Sequence, residues 1–410
     1  MMIKTNPLYM KIAIVGAGAA GCFAAIEIKR RCREAEVTVY ESGRKALAKV
    51  AVTGGGRCNL TNSFSGVRSV ETVYPRGARL MKRLLREFSH DDAYGWFERE
   101  GIRLTTQEDN CVFPVSQDAM EIVDKLLWLM RRYGVTLKTG HRVEKIIHDE
   151  AYTVCFSNGE SVKADKVVVT TGGSPKLSGL KMLDGLGLDI VEPVPSLFSF
   201  CLANHPITAM TGTVVEDVQT SIVGTKMKAD GPLLITHWGL SGPAILKLSS
   251  YGARHLHDCN YKSKIAVNWF GSANEGEVMQ QLSEMSIRHP QKQVQSVYPE
   301  RFNSRLWLYL LDYAGVRHDM RWAEMGKKSF NRMSAMLTNH VFDVTGKNKF
   351  KEEFVTCGGV ALTNINPSTL ECRRHPGLYF AGEVLDVDAI TGGFNLQAAW
   401  TMAYVVAKSI

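Results

Sequence analysis

At 410 residues the chain is too long for one simple core, and two or three domains are expected. Its 45% hydrophobic and 22% charged residues are those of an ordinary soluble protein, and no apolar run reaches the ~20 residues of a membrane span. The formal charge of +8 admits an anionic partner, but the basic residues are dispersed. Clusters such as Lys29-Arg30-Arg31 and Arg131-Arg132 fall at the ends of predicted helices, where the helix dipole favours them. The expected partner is a small-molecule substrate, with no nucleic acid and no membrane. The 9 cysteines form no C-x-x-C pair, so neither a metal site nor a disulfide framework is indicated. With no apolar leader, the expected location is cytoplasmic.

Met1 to Tyr9 reads as a short irregular extension. The apolar, β-branched run Lys11-Ile12-Ala13-Ile14-Val15 then reads as a buried parallel strand. It enters Gly16-Ala17-Gly18-Ala19-Ala20-Gly21, a G-x-G-x-x-G turn, and Cys22 to Lys29 has helical character. Strand, glycine turn and helix in this order are what a dinucleotide-binding fingerprint requires. One glycine permits the tight turn, one lets backbone approach a pyrophosphate, and one lets helix pack on strand; the helix N-terminus supplies N–H donors to the phosphates. The next strand, Glu36 to Tyr40, ends on Glu41. A carboxylate about 20 residues past the glycines accepts hydrogen bonds from the adenosine ribose hydroxyls and repels a 2′-phosphate. FAD and NAD both satisfy this pattern.

Gly43 to Asn62 follows, with Lys45 near its start and Thr53-Gly54-Gly55-Gly56-Arg57-Cys58-Asn59 in its second half. Three consecutive glycines are costly inside a helix or strand but suit a backbone that passes close to a flat ligand. Arg57, Asn59, Thr61 and Asn62 would present polar groups to it. Cys58 has no nearby partner cysteine for a dithiol relay, so it is a packed residue or a lone contact to the ligand, packing being preferred.

Arg76 to Gly101 has a helical pattern, and short strands follow around 102–104 and 111–113. A clear amphipathic helix spans Ser116 to Tyr133, with Ser116 as its cap and Gly134 as its stop. Arg142 to His148 and Tyr152 to Phe156 read as a meander, and Asp165 to Gly173 as another strand of the first sheet, turning at Thr171-Gly172-Gly173. From Ser196 to about Tyr261 β-type runs dominate, and Glu275 to Arg332 is helical and amphipathic. The expected division is a first part of the nucleotide-binding domain over 1–193, an inserted substrate-side region over 194–340, and a return segment over 341–410, with the chain back in the first domain after Lys349. The fold class is α/β: a Rossmann-like domain with an inserted region, part β-barrel-like and part helical. The chain closes with the strand Gly377 to Ala381, Gly382-Glu383, Asp386, and a helix from Asn395 to Lys408 led in by Thr391-Gly392-Gly393-Phe394.

These pieces resemble the flavoproteins with two dinucleotide-binding domains, such as the fumarate reductases. More closely, G-G-G-R-C-N-L-T-N at 54–62, T-H-W-G-L-S-G-P at 236–243 and A-G-E-x-L-D with T-G-G-F-N-L-Q-A-A at 381–399 resemble one bacterial family of NAD(P)/FAD-dependent oxidoreductases, which includes a bile-acid dehydroxylation flavin reductase. The resemblance covers nearly all of the chain from Met10. It implies non-covalent FAD, with NADH or NADPH as a reductant that would dock without a second G-x-G-x-x-G. It implies that Glu383 bonds the ribityl chain, that Asp386 steadies its loop, and that Val143 offers backbone contacts to the adenine. The helix begun at Gly393, Phe394, Asn395 and Leu396 would aim N–H groups at the flavin N1/O2 edge. Gly55, Gly56, Arg57, Cys58 and Asn59 would lie along the isoalloxazine, with Lys45 and Gly172 also at the cofactor. The implied reaction is hydride transfer from flavin N5 to a C=C conjugated with a carbonyl. Arg57, His237 and Ser241 are the candidate donors to the carbonyl oxygen. An oxidase using O2 on an amine or alcohol, a tRNA-modifying flavoprotein, and a non-enzymatic flavin-binding module would carry the same FAD motifs.

Overall fold

The computed structural model describes residues 9–174, 176–348 and 355–410. The expected extension therefore lies, apart from Tyr9, outside the described residues, as does the point near Lys349 where the chain is expected to rejoin the first domain. The chain divides into two compact units: Met1–Pro195 with Lys351–Ile410, and Ser196–Phe350.

The first unit is built on a five-stranded parallel sheet. Lys11–Val15 lies in the middle, flanked by Glu36–Glu41 and Lys166–Val169; Thr136–Thr139 and Leu378–Phe380 form the edges. Ile12 aligns with Val37 on one side and Lys166 on the other, and Val168 aligns with Tyr379. The central strand is covered on both faces, which explains its unbroken apolar run. A strand near the end of the chain thus completes a sheet begun at its start. The first helix, Ala19–Arg31, packs against the C-terminal helix, Phe394–Ser409. Phe23 of the former fills the junction, with ring centroids 5.5 Å from Trp400 and 4.6 Å from Trp96. A three-stranded antiparallel sheet (Thr61–Asn62, Cys111–Pro114, Leu104–Thr106) and a meander (Val143–His148, Tyr152–Phe156, Ser161–Ala164) complete the unit. The outgoing strand Ile190–Ser196 lies beside the returning strand Val355–Val360.

The second unit contains a seven-stranded sheet. Its two edge strands, His340–Val344 and Gly346–Lys347, are separated in the chain only by Thr345. A single residue can join opposite edges only if the sheet curls until they meet, so the β part is barrel-like. The helices Glu275–Arg288, Ser304–Ala314 and Lys327–Thr338 belong to the same unit. Trp269, Trp307 and Trp322 are fully buried in it. Their indole N–H groups donate to His340 Nδ1 (3.1 Å), the Val294 carbonyl (2.8 Å) and the Val297 carbonyl (3.0 Å).

Several local expectations change. The second unit does not end at 340: His340–Val344 alternates buried and less buried residues and pairs with Ser263–Asn268. The single helical stretch from Arg76 to Gly101 is two helices, Ala78–Leu84 and His90–Arg99, the second opened by a Ser89–Asp92 capping box. Ser116 is not a cap, because its hydroxyl turns to Glu121; Asp118 caps the helix Ala119–Arg132 by accepting from the Met120 N–H. The stretch from Gly43 contains a helix, Ala48–Gly56, whose last turn departs from helical geometry at Thr53, Gly54 and Gly55.

The candidate FAD site

The site is assembled from both ends of the first unit. Gly16 and Gly21 hold the fingerprint turn together by closeness: a Cβ on Gly21 would collide with the Gly16 carbonyl, and one on Gly16 would lie 2.6 Å from the Thr170 carbonyl oxygen. Gly18 differs, for a Cβ there would meet nothing within 4 Å. It opens the helix Ala19–Arg31, whose first turn carries no side-chain cap. The helix start therefore offers uncapped N–H groups next to the open space at Gly18, the arrangement that receives a phosphate.

Glu41 stands at the end of the neighbouring strand. Its carboxylate accepts from the Ala17 N–H at 2.9 Å and the Gly43 N–H at 2.7 Å. The Ser42 hydroxyl donates to it as well, at 3.2 Å. A carboxylate has about four lone-pair positions, so capacity remains for a ribose hydroxyl. The chain at Gly140 and His141 runs alongside, donating to the carbonyls of Gly43 and Glu41, and brings in Val143, the first residue of the next strand. Lys45 is exposed.

Gly54, Gly55 and Gly56 all take left-handed φ values, +59°, +68° and +82°. Such a run is accessible only to glycine at low cost. At Gly55 and Gly56 a Cβ would again meet nothing within 4 Å, so this backbone presents a bare surface. Arg57 follows, exposed, with its Nε donating to the Gly54 carbonyl at 3.1 Å and its guanidinium 4.3 Å from the Phe113 ring centroid. The Cys58 thiol is fully buried, and burial pushes its pKa up to about 12. It is a packed neutral thiol rather than a redox group. The Asn59 amide, oriented to satisfy both ends, donates to the Thr61 carbonyl at 3.0 Å and accepts from the Gly393 N–H at 3.3 Å.

From the other end of the chain, Glu383 accepts from the Thr356 N–H at 2.6 Å, and Lys49 lies 3.8 Å from its second oxygen. A Cβ on Gly173 would strike this carboxylate, while Gly172 faces open space. Gly382 sits 3.1 Å, measured from its absent Cβ, from the Ala20 methyl, which joins the Glu383 loop to the fingerprint helix. The C-terminal helix begins after Gly393 with no side-chain cap. The carbonyl of Phe394 accepts from Tyr74 Oη at 2.8 Å. The Asn395 amide is committed to Ala389, accepting from its N–H and donating to its carbonyl, so it fastens the preceding loop rather than reaching outward. Leu396 is half-buried, as is Asp386, whose N–H donates to the Val360 carbonyl at 3.0 Å.

One contact in this region has no sequence signal. Arg76 forms a two-pronged ion pair with Asp388, whose side chain is fully buried. Neither residue belongs to a glycine motif, and only the tertiary fold brings them together. His237 and Ser241 belong to the second unit. His237 is exposed at the turn between Lys228–Thr236 and Gly239–Ser241, edge-on to Trp238 at 4.2 Å, and the Ser241 hydroxyl is bonded to that of Ser199 at 2.7 Å.

The donor set fits FAD: an uncapped helix start for the pyrophosphate, a carboxylate for the ribose, a bare glycine surface, a second carboxylate, and a second uncapped helix start. Comparison with known proteins agrees. The family described as HI0933-like protein Rossmann domain matches residues 10–409. The chain belongs to this family. It is 27% identical over 407 residues to the 3-dehydro-bile acid delta(4,6)-reductase of Clostridium scindens, covering 97% of this chain and 98% of that protein. It is 28% identical over 407 residues to the ribosomal RNA dihydrouridine synthase of Escherichia coli, covering 97% of each. Its fold is similar to that of the Escherichia coli quinol fumarate reductase FrdA, with a TM-score of 0.51 at 13% identity over 98% of this chain and 69% of that one. It is a flavoprotein oxidoreductase by family, with the FAD-binding Rossmann fold. Among the described residues, no helix is long and apolar enough to cross a membrane.

Proposed function

We propose that the protein is an FAD-dependent reductase that saturates a C=C conjugated with a carbonyl. One observation carries this reading. Two curated relatives, each matched over nearly the full chain, are named for different substrates but for one kind of chemistry. A 3-dehydro steroid with delta(4,6) unsaturation is a conjugated ketone, and dihydrouridine is uridine saturated beside a ring carbonyl. For the 4-ene and for uridine, saturation adds a hydride to the carbon β to the carbonyl and a proton to the α-carbon; for the 6-ene, conjugated through the 4-ene, the hydride adds at the vinylogous δ-carbon. Bound FAD, when reduced, supplies that hydride from N5.

The protein's part is to bind, orient and stabilise charge. Arg57 is the proposed donor to the carbonyl oxygen. Its guanidinium is held from below by the Phe113 ring and fixed at Nε by the Gly54 carbonyl, which leaves N–H groups for an oxygen that becomes negative as hydride arrives. His237 is a second proposed substrate contact. Ser241 is a weaker one, because its hydroxyl already has a partner. NADH or NADPH is the proposed reductant, and a small enone the proposed substrate. A uracil ring within RNA is the second reading, and the ribosomal RNA dihydrouridine synthases of Escherichia coli and Haemophilus influenzae, each 28% identical to this chain, are what favour it.

Anaerobic stopped-flow measurement tests this. The holoprotein is reduced with NADH, NADPH or dithionite and mixed with a 3-oxo-Δ4 steroid, unmodified ribosomal RNA, a quinone, or oxygen. Reoxidation by either conjugated alkene, with the saturated product found by mass spectrometry, is expected. Reoxidation by oxygen alone would point to an oxidase and overturn the proposal.

A further inference from the structure

Every residue of Val73–Gly77 but the proline makes a defined contact with the chain between Glu383 and the C-terminal helix. The Val73 carbonyl accepts from the Ile390 N–H at 2.9 Å. Tyr74, fully buried, donates through Oη to the Phe394 carbonyl at 2.8 Å. Arg76 pairs with Asp388 through two hydrogen bonds and lies opposite it in an isolated antiparallel bridge. Gly77, at φ +74°, packs so closely on Val387 that a Cβ would come within 2.5 Å of its methyl carbon. The contacted stretch, 387–394, spans the loop after Glu383 and the first residue of the helix.

We propose that Val73–Gly77 is a brace for the flavin-facing loop, and that Arg76, paired with Asp388, is the positioning residue that sets that loop between Glu383 and the start of the C-terminal helix. The inference rests on the FAD reading of the site. The physical reason lies in the loop itself. The loop must hold a carboxylate and a helix start in fixed relation to one ligand; the Asn395 amide fastens it from its C-terminal side, at Ala389, and Val73–Gly77 fastens it from outside. A planar guanidinium bonded at two atoms fixes direction as well as distance, which a single hydrogen bond cannot do. Burial opposes the charge of Arg76, and the Asp388 carboxylate, with Cys357 and Asp386 adding to it, more than restores it, holding the guanidinium pKa above its ordinary value. Removing either partner alone takes a two-pronged partner from the other charge in a buried place, whereas replacing both by apolar groups is commonly tolerated.

That asymmetry separates positioning from mere fastening. Arg76→Met, Arg76→Lys and the double variant Arg76→Met/Asp388→Leu are compared with the wild-type holoprotein in melting temperature, FAD affinity, visible circular dichroism of the bound flavin and midpoint potential. Arg76→Met should lose FAD affinity at least tenfold, and its flavin potential should move to more negative values, since the Asp388 carboxylate then lies in the flavin-facing loop without the guanidinium's positive charge beside it. The double variant should regain melting temperature yet remain at least tenfold weaker for FAD, with an altered flavin dichroism. Arg76→Lys, which keeps the charge and loses the fork, should fall between. A double variant that binds FAD as tightly as the wild type, with unchanged dichroism and potential, would overturn the proposal. If both charge-removed variants fail to fold, wild-type affinity and dichroism in Arg76→Lys would overturn it equally. Wild-type protein that takes up no FAD would instead refute the FAD reading, an outcome seen before any variant is made.

Discussion

Around the candidate site of the first unit, backbone meets backbone at glycines; in the core of the second unit around Trp269, ring meets ring. Gly21 nests on the Gly16 carbonyl, and Gly393 nests on the Thr61 carbonyl. In the second unit Trp269, Phe302, Trp307, His340 and Phe342 lie against one another, with centroid separations between 4.2 and 6.4 Å. The difference follows from what each unit must leave empty. A cofactor site keeps side chains out of its floor, so its backbone is brought together where side chains are missing. A filled core has no such duty and is stabilised by burying large rings. The candidate site is therefore vulnerable to added atoms, and the ring-filled core of the second unit to added charge.

The largest expected effect comes from adding atoms at Gly21. Gly21→Val places Cβ against the Gly16 carbonyl and the Thr170 hydroxyl, with no flexible side chain able to yield enough space. A loss of more than about 4 kcal/mol in the first unit is expected, because backbone must move in the centre of a parallel sheet. Purified variant should be colourless or insoluble; a yellow, stable protein would mean that the turn is looser than it looks.

Much of this unit was legible because its constraints are local. G-x-G-x-x-G, Gly54 to Gly56 and Gly393 each announce themselves within a few residues, and the spacing to Glu41 is set by one strand–helix–strand unit. What stayed hidden was long-range. Arg76 looks like the start of a helix, and Asp388 like one more acid in a loop; their pairing depends on a fold that joins residues 312 positions apart in sequence. The capping error at Ser116 has a different origin, because Ser116 and Asp118 are both good caps and only the route of the chain selects between them. His340 was hidden for a third reason. Its burial depends on pairing with Ser263–Asn268, which period-2 alternation near 340 hints at but does not locate.

Added charge should break the second unit, and acid supplies it. His340 accepts the Trp269 indole N–H at Nδ1, so its neutral form carries the proton on Nε2, towards Tyr309 Oη at 3.4 Å. Protonating Nδ1 would set two N–H groups against each other inside rings of Tyr313 and Phe342. Burial, with His205 as the nearby titratable group, holds the His340 pKa down to about 3. The unfolded chain takes up a proton here below about pH 6.5, and the folded chain does not until near 3. Stability of this unit should therefore fall as pH drops through that window, by about 1.4 kcal/mol per unit and about 2–3 kcal/mol by pH 4.5. Hydrogen exchange in Ser263–Asn268 and His340–Val344 should accelerate accordingly, ahead of exchange in Lys11–Val15. His340→Gln, which keeps an acceptor for Trp269 but does not titrate, should flatten the dependence. An unchanged acid slope in that variant would assign the effect elsewhere.

The smallest of the three effects sharpens the comparison, because it removes a proposed ligand-binding group without adding an atom or a charge. Glu41 has one job that the structure shows and a second that we propose. Its carboxylate ties the glycine turn to the next strand through Ala17 and Gly43, and the proposed second job is to receive the ribose of FAD. Glu41→Ala ends both, and FAD binding should weaken by about 1–3 kcal/mol, roughly 5- to 150-fold in Kd. The two jobs are separable. Loss of the turn contacts would show in the apoprotein as faster hydrogen exchange at Ala17 and Gly43, whereas loss of the ribose contacts appears only in the titration with FAD. Competition by riboflavin or FMN, which have no adenosine ribose, should be unaffected by the ribose part. If Glu41→Ala weakens FAD and riboflavin equally, the carboxylate serves the turn alone. If FAD alone is weakened, with the acid transition of the second unit in place, the carboxylate binds the ribose. The vulnerability of the first unit then lies in the shape that it keeps for a ligand.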